Sequence, residues 1–254
     1  MTPKPLNNIL TWLDDLLEPA RFEDYAPNGL QVDADRPITR VATGVTANLA
    51  FLQQAASWGA ELAVVHHGLY WHGGPVTVTG ALGRRIRLAL EHGLSIAGYH
   101  LPLDAHLEVG NAANLCRALE LTDLRPAFLS RGAPVGCIAR LETPLPVDAL
   151  RARLETLFPG HLFFAGGPAL ITSVGVVTGG APRMLSDALS LGCDLFITGE
   201  AAEQTQATAF EEGIHAACCG HHRTERFGPI ALADRLATAF PELEVRYLDV
   251  DNPA

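Results

Sequence analysis

An internal repeat constrains this chain more than any other feature. The stretch VATGVTANLAFLQQAASWGAELAVVHHG, from Val41, aligns without a gap against VGVVTGGAPRMLSDALSLGCDLFITGEA, from Val174. Both read as strand, loop, helix, glycine, acid and apolar strand. Gly59 falls opposite Gly192, Glu61 opposite Asp194, and His67 opposite Glu200. A glycine closing an apolar-periodic helix is the expected C-terminal cap. Two strands joined through a helix should lie parallel in one sheet. The next segments correspond with one small shift, EHGLSIAGYHLPLD from Glu91 and EEGIHAACCGHHRTE from Glu211. In each, a glycine ends a helix and a strand of small or apolar residues follows. That strand closes with histidine, three residues and a carboxylate: His100 to Asp104, and His221 to Glu225. The expectation is an α/β protein built by duplication, with two similar halves, 1–125 and 126–254.

The ends of these strands carry the chemistry. Leu62 to Val65 form an apolar run of the kind buried on both faces of a parallel sheet, and it stops at His66-His67-Gly68. Neighbouring side chains on a strand point to opposite faces, so two histidines share a site only where the backbone turns. Gly68 permits that turn. In open α/β sheets, ligands gather beyond the carboxyl ends of the parallel strands. His66, His67, His100, Asp104, Glu200, His221, His222 and Glu225 all sit at such ends. Two halves related by a pseudo-twofold would bring them to a metal site in the cleft between the halves. The competing reading of His66-His67 alone is a pair of polar residues opening a loop.

So many imidazoles and carboxylates exceed the needs of one tetrahedral zinc and suit two divalent metal ions. Without thiolate among the donors, Zn, Fe, Mn or Co fits better than Cu(I). Arg223 and Arg226 beside the late motif read equally as holders of an anionic substrate or as surface ion pairs. Asn28, in the turn Pro27-Asn28-Gly29, reads as a turn former. Composition narrows the partners. A net charge of −10 argues against non-specific binding to nucleic acid or to anionic membrane surfaces. The N-terminus lacks the basic and long apolar regions of a signal peptide, and no apolar run approaches the ~20 residues of a membrane span. Five cysteines without a CxxC motif fit buried thiols in a reducing, cytoplasmic setting.

The segments YAPNGLQV, VVHHG, GYHLPLDAH, GN, FITGE and GHHRTER, in that order, together with the closing LDVDNPA, resemble the Nif-three-like family. Its members are also called dinuclear-metal-centre hexameric proteins or GTP cyclohydrolase type 2 homologues, and the length matches the short bacterial form. The resemblance implies two interlinked α/β domains and a homohexamer with metal sites facing an internal cavity. It places the metal ligands on His66, His67, Asp104, His221 and Glu225, with Glu225 as the bridge between ions. His100 and Glu200 remain as candidates for catalytic acid–base work, His100 alternatively as a residue that orients Asp104 or a water. The implied activity is that of a dinuclear metal-dependent hydrolase. Its substrate would be a small molecule such as a purine nucleotide, opened at the guanine imidazole ring through a metal-bridging hydroxide. A metal-dependent phosphoesterase and a metal-handling or regulatory protein without turnover are the alternatives.

Overall fold

In a computed structural model, which describes residues 2–253, the chain is mixed α/β with two multi-stranded sheets in two compact units. The first unit comprises residues 1–103 and 228–251, the second residues 104–227 and 252–254. The division at residue 125 follows the sequence repeat, whereas the compact units follow the sheets.

In the first unit, helix α1 (Leu6–Leu17) buries Leu6, Ile9, Leu13 and Leu17, a stripe at helical spacing. Strands β1 (Gly29–Val32), β2 (Arg40–Thr46), β3 (Leu62–His67) and β4 (Ser95–Gly98) follow, with α2 (Leu49–Trp58) and α3 (Gly80–Glu91) as the crossovers. The last strand of the chain, β11 (Glu244–Tyr247), joins this sheet after helix α10 (Phe227–Ala239), giving the order β1-β4-β3-β2-β11. All neighbours are parallel except β1 with β4. Asn48 caps α2 by accepting from the Phe51 N–H at 2.9 Å, and Gly59 ends it in the left-handed region. The core consists of Phe51, Leu52, Ala63, Val65, Leu94, Ile96 and their neighbours.

In the second unit, helices α4 (Leu101–Ala105, which begins in the first unit) and α5 (Asn111–Ala118) precede a hairpin of β5 (Leu124–Ser130) and β6 (Ala133–Pro146). Its turn is Arg131-Gly132, both at positive φ, as a two-residue connection requires, and Pro134 lies within the paired strand. Helix α6 (Val147–Leu157), strands β7 (Leu162–Ala165), β8 (Leu170–Val176), β9 (Leu195–Thr198) and β10 (His215–Cys218), and helices α7 (Leu185–Ser190), α8 (Thr205–Glu212) and α9 (His221–Thr224) complete it. The sheet order is β5-β6-β8-β9-β10-β7.

The duplication is visible in the topology and reaches further than the aligned segments. β2-β3-β4 and β8-β9-β10 are parallel triplets in the same order, and in each an antiparallel strand lies outside the third, β1 on β4 and β7 on β10. Both β1 and β7 precede their triplet in the chain. One detail of hydrogen bonding repeats as well. Glu61 accepts from the backbone N–H of Thr39 and Arg40, at 3.0 and 2.7 Å, and from the Thr39 hydroxyl. Asp194 accepts from the backbone N–H of Thr172 and Ser173, at 2.7 and 3.1 Å, and from the Thr172 hydroxyl. The acid before the second strand of each half thus pins the start of the first.

All five cysteines are buried free thiols; Cys116 and Cys137 stand with their sulfurs 3.3 Å apart. Among the described residues, no helix is long and apolar enough to cross a membrane.

Candidate metal centre

β3 enters the core as Leu62–Val65 and delivers His66 and His67 at its carboxyl end; β4, its neighbour, ends one residue before Tyr99-His100. Parallel pairing puts the two ends side by side, so three imidazoles meet. One nitrogen from each of His66, His67 and His100 lies within 4.8 Å of the others. Gln31 from β1 holds the turn after the histidines, its Oε1 accepting from Leu69 N–H at 2.6 Å. A Cβ on Gly68 would collide with the Gln31 amide, which accounts for the glycine after the two histidines.

Each ring of this group is steered by a second group. His66 is fully buried, with Nδ1 3.2 Å from the Tyr99 carbonyl, which can only accept. A proton on Nδ1 satisfies this contact, and that tautomer is the one that turns Nε2 toward a metal ion. His67 Nδ1 lies 3.2 Å from the Thr46 hydroxyl. His100 Nδ1 lies 2.6 Å from Asp24 Oδ1. Asp24, 5% exposed, also accepts from the N–H groups of Tyr25, Ala26 and Leu101 and from the Asn28 amide. Burial alone would raise its carboxyl, but the hydrogen bond and electrostatic attraction of His100, with the bonds from Asn28 and Leu101, hold it down at about 2. Asn28 Oδ1 in turn accepts from the His100 backbone N–H at 2.7 Å. Asn28 therefore does more than form a turn. Tyr25 and Trp71, 43% and 41% exposed, flank the cluster edge-on, with ring centroids 6.4 and 5.0 Å from that of His100.

The second unit assembles its own donors. Asp104 and Glu225 offer carboxylate oxygens within 4.8 Å of each other, and a ring nitrogen of His221 lies within the same distance of a Glu225 oxygen. Both acids are nearly inaccessible, at 8% and 3% exposure. Asp104 Oδ1 accepts from the Asn111 amide at 2.9 Å and the Thr178 hydroxyl at 3.1 Å. His221 lies between two carboxylates, with Nδ1 2.6 Å from Glu200 and Nε2 3.1 Å from Glu225. The hydrogen bond to Glu225, opposed by burial and reinforced by Glu200, raises the imidazole to about 9. The two acids thus favour positive charge at this imidazole. Gly179, at φ 68°, lies against this point; a Cβ there would overlap Glu225 Oε1 and crowd His221 Nε2. The donor chemistry, imidazole and carboxylate without thiolate, could hold a metal ion.

The structure refines the surroundings of the late motif. Glu200 lies ahead of α8, which begins at Thr205 with Gln204 at its N-cap. Arg223 donates to the Pro159 carbonyl and stacks its guanidinium over Phe158, so it belongs to the packing of that corner. His221–Thr224 is a separate turn of helix, and α10 starts at Phe227. Asp24, Asn111 and Thr178 escaped sequence reading. Asn111 lay in the GN pair and Thr178 in the aligned repeat, but neither was marked there as a site residue.

The match to known proteins runs the length of the chain. Residues 5–253 match the family model described as Duf34/NIF3 (NGG1p interacting factor 3). A protein of Pasteurella multocida (strain Pm70) named "GTP cyclohydrolase 1 type 2 homolog" is 41% identical, over 95% of this chain and 96% of its own. A protein of Yersinia pestis with the same name is 42% identical, over 96% and 97%. Among solved structures, protein ybgI, described as of unknown function, superposes with a TM-score of 0.90 at 36% identity, covering 98% of this chain and 99% of that one. TTHA1606 from Thermus thermophilus superposes with a TM-score of 0.88 at 32% identity, with the same coverage.

Proposed function

The chain belongs to the Duf34/NIF3 family, and from that membership and its two donor sets we propose that it is a metal-dependent hydrolase holding two divalent ions. The ligands in this reading are His66, His67, Asp104, His221 and Glu225, with Glu225 shared by both ions. The observation that carries it is the convergence of ligand atoms within each unit. Three imidazole nitrogens lie within 4.8 Å in the first, and Glu225 lies within that distance of both Asp104 and His221 in the second. Convergence of several buried donors is costly for a fold without a cation to share them. Divalent ions bound there would act as Lewis acids and lower the pKa of coordinated water toward ~7.

The protein's own residues bind and orient. Asn111 and Thr178 hold the Asp104 carboxylate, and Tyr99 fixes the His66 tautomer, so these donors need little reorganisation on binding. Tyr25 and Trp71 offer aromatic faces beside the three imidazoles, which suits a planar substrate. The relatives' name, GTP cyclohydrolase 1 type 2 homolog, suggests a purine nucleotide, opened hydrolytically at the imidazole ring with loss of formate. The same chemistry would serve a phosphoester. Cytoplasmic location and hexameric assembly belong to this proposal.

One observation favours a second reading, a metal-handling or regulatory protein without turnover. Glu200 and His100, the candidates for acid–base work, are each engaged with another side chain, His221 and Asp24. The test is an assay of metal-replete protein against a panel of nucleotides and phosphoesters, with formate, phosphate and metal content measured together. Metal-dependent release of formate from GTP supports the purine reading. Release of phosphate alone moves the substrate class, and full metal content with no turnover leaves the metal-handling reading.

A further inference from the structure

His100 and His221 are repeat-mates, and the structure gives them the same partner chemistry. Each has Nδ1 2.6 Å from a carboxylate oxygen, Asp24 for His100 and Glu200 for His221. In each case the other nitrogen is left for a donor cluster. His221 Nε2 lies 3.1 Å from Glu225, and with His100 Nδ1 taken by Asp24, Nε2 is the nitrogen left to join His66 and His67.

The two carboxylates do not share an ancestor in the duplication. Glu200 follows β9, and its counterpart in the first half is His67. Asp24 precedes β1, in an irregular segment far from the aligned repeat. A dyad merely copied with the fold would take its acid from equivalent positions. The same geometry reached from different places in the chain points to a requirement on the histidine. Imidazole ligands are commonly held by a carboxylate on the far nitrogen, which fixes tautomer and ring plane and raises donor strength.

We propose that Asp24 and Glu200 are equivalent positioning residues, each presenting Nε2 of its histidine to a metal ion, and that His100 is therefore a ligand-side residue of the first donor set. This rests on the metal-binding part of the proposed function and is independent of turnover. It also changes the role of Glu200, from general base to support for His221. Asp24 is built for such a task. Its carboxylate is clamped by three backbone N–H groups and the Asn28 amide, and Asn28 also holds the His100 backbone. The dyad is consequently anchored at both ends.

The test is cobalt(II) binding to the full chain, read by competition with a chromophoric chelator and by the visible d–d absorption, for wild type, Asp24→Asn, Glu200→Gln and His100→Ala. Each substitution is expected to weaken the affinity for cobalt roughly 10–100-fold and to alter the d–d band, with Asp24→Asn shifting in the direction of His100→Ala. A folded Asp24→Asn or Glu200→Gln protein with wild-type affinity and spectrum would overturn the proposal. If Asp24→Asn does not fold, the other two variants decide, since the Glu200 side chain is half-exposed. An unchanged His100→Ala protein would overturn the role of the first dyad. A wild-type chain that takes up no cobalt would remove the metal reading and this inference with it, whereas absence of hydrolysis with normal cobalt binding would leave the inference standing.

Discussion

At Gly179 a single methyl group would disturb the second donor set. The residue has φ 68°, and a Cβ would strike Glu225 Oε1. Gly179→Ala is therefore expected to cost about 1–2 kcal/mol for the left-handed backbone and to push Glu225 off its position. Metal titration should show weaker binding than the loss of stability alone explains; full metal affinity in a merely destabilised protein would contradict the role given to this glycine. Asp24 makes a prediction with a sign. Its folded pKa of about 2 lies below the ordinary 3.8, so its stabilising contribution is complete above about pH 4 and is lost as the pH falls toward 2. The shift corresponds to about 2 kcal/mol. Urea unfolding of metal-free wild type and Asp24→Asn should therefore give a stability difference that shrinks as the pH is lowered from 5 to about 2. A difference constant over that range would mean that Asp24 is not ionised against His100.

The strand clamps act at the scale of the element. Glu61 and Asp194 each tie down the first residues of a neighbouring strand with three hydrogen bonds. Removing a charged acceptor from backbone donors typically costs about 1–3 kcal/mol. Glu61→Ala and Asp194→Ala should each lower the unfolding free energy by that amount while leaving metal content intact. Loss of metal without loss of stability in either would contradict a structural role. These acids were legible in the sequence because they fall at one place in two aligned copies. The strand ends were legible for a related reason: His66-His67-Gly68 interrupts a four-residue apolar run, and a glycine stands two or three residues before β4, β9 and β10. Asp24 was not. It lies in an irregular segment with no period, and its partner His100 is 76 residues away, so nothing local marks the pair. Strand β11 was missed too. Glu244-Val245-Arg246-Tyr247 is an edge strand, half polar and without a clear buried face, and its pairing with β2 joins the last strand of the chain to one near its start.

At the scale of the whole molecule, the two-sheet architecture and its duplication followed from the repeat, and the topology extended them to the outer strands β1 and β7. Sequence periodicity carries no information on assembly, so the hexamer rests on family resemblance. Light scattering coupled to size exclusion should give six chains per particle, and a monomer at micromolar concentration would withdraw both the hexamer and its enclosed cavity. The central claim, a centre for two ions, is tested most directly by metal content. Elemental analysis of protein saturated with divalent metal and freed of excess is expected to give about two ions per chain, dropping steeply in Glu225→Ala and much less in His222→Ala. A wild-type protein with no bound metal, or a folded Glu225→Ala protein that keeps both ions, would contradict it.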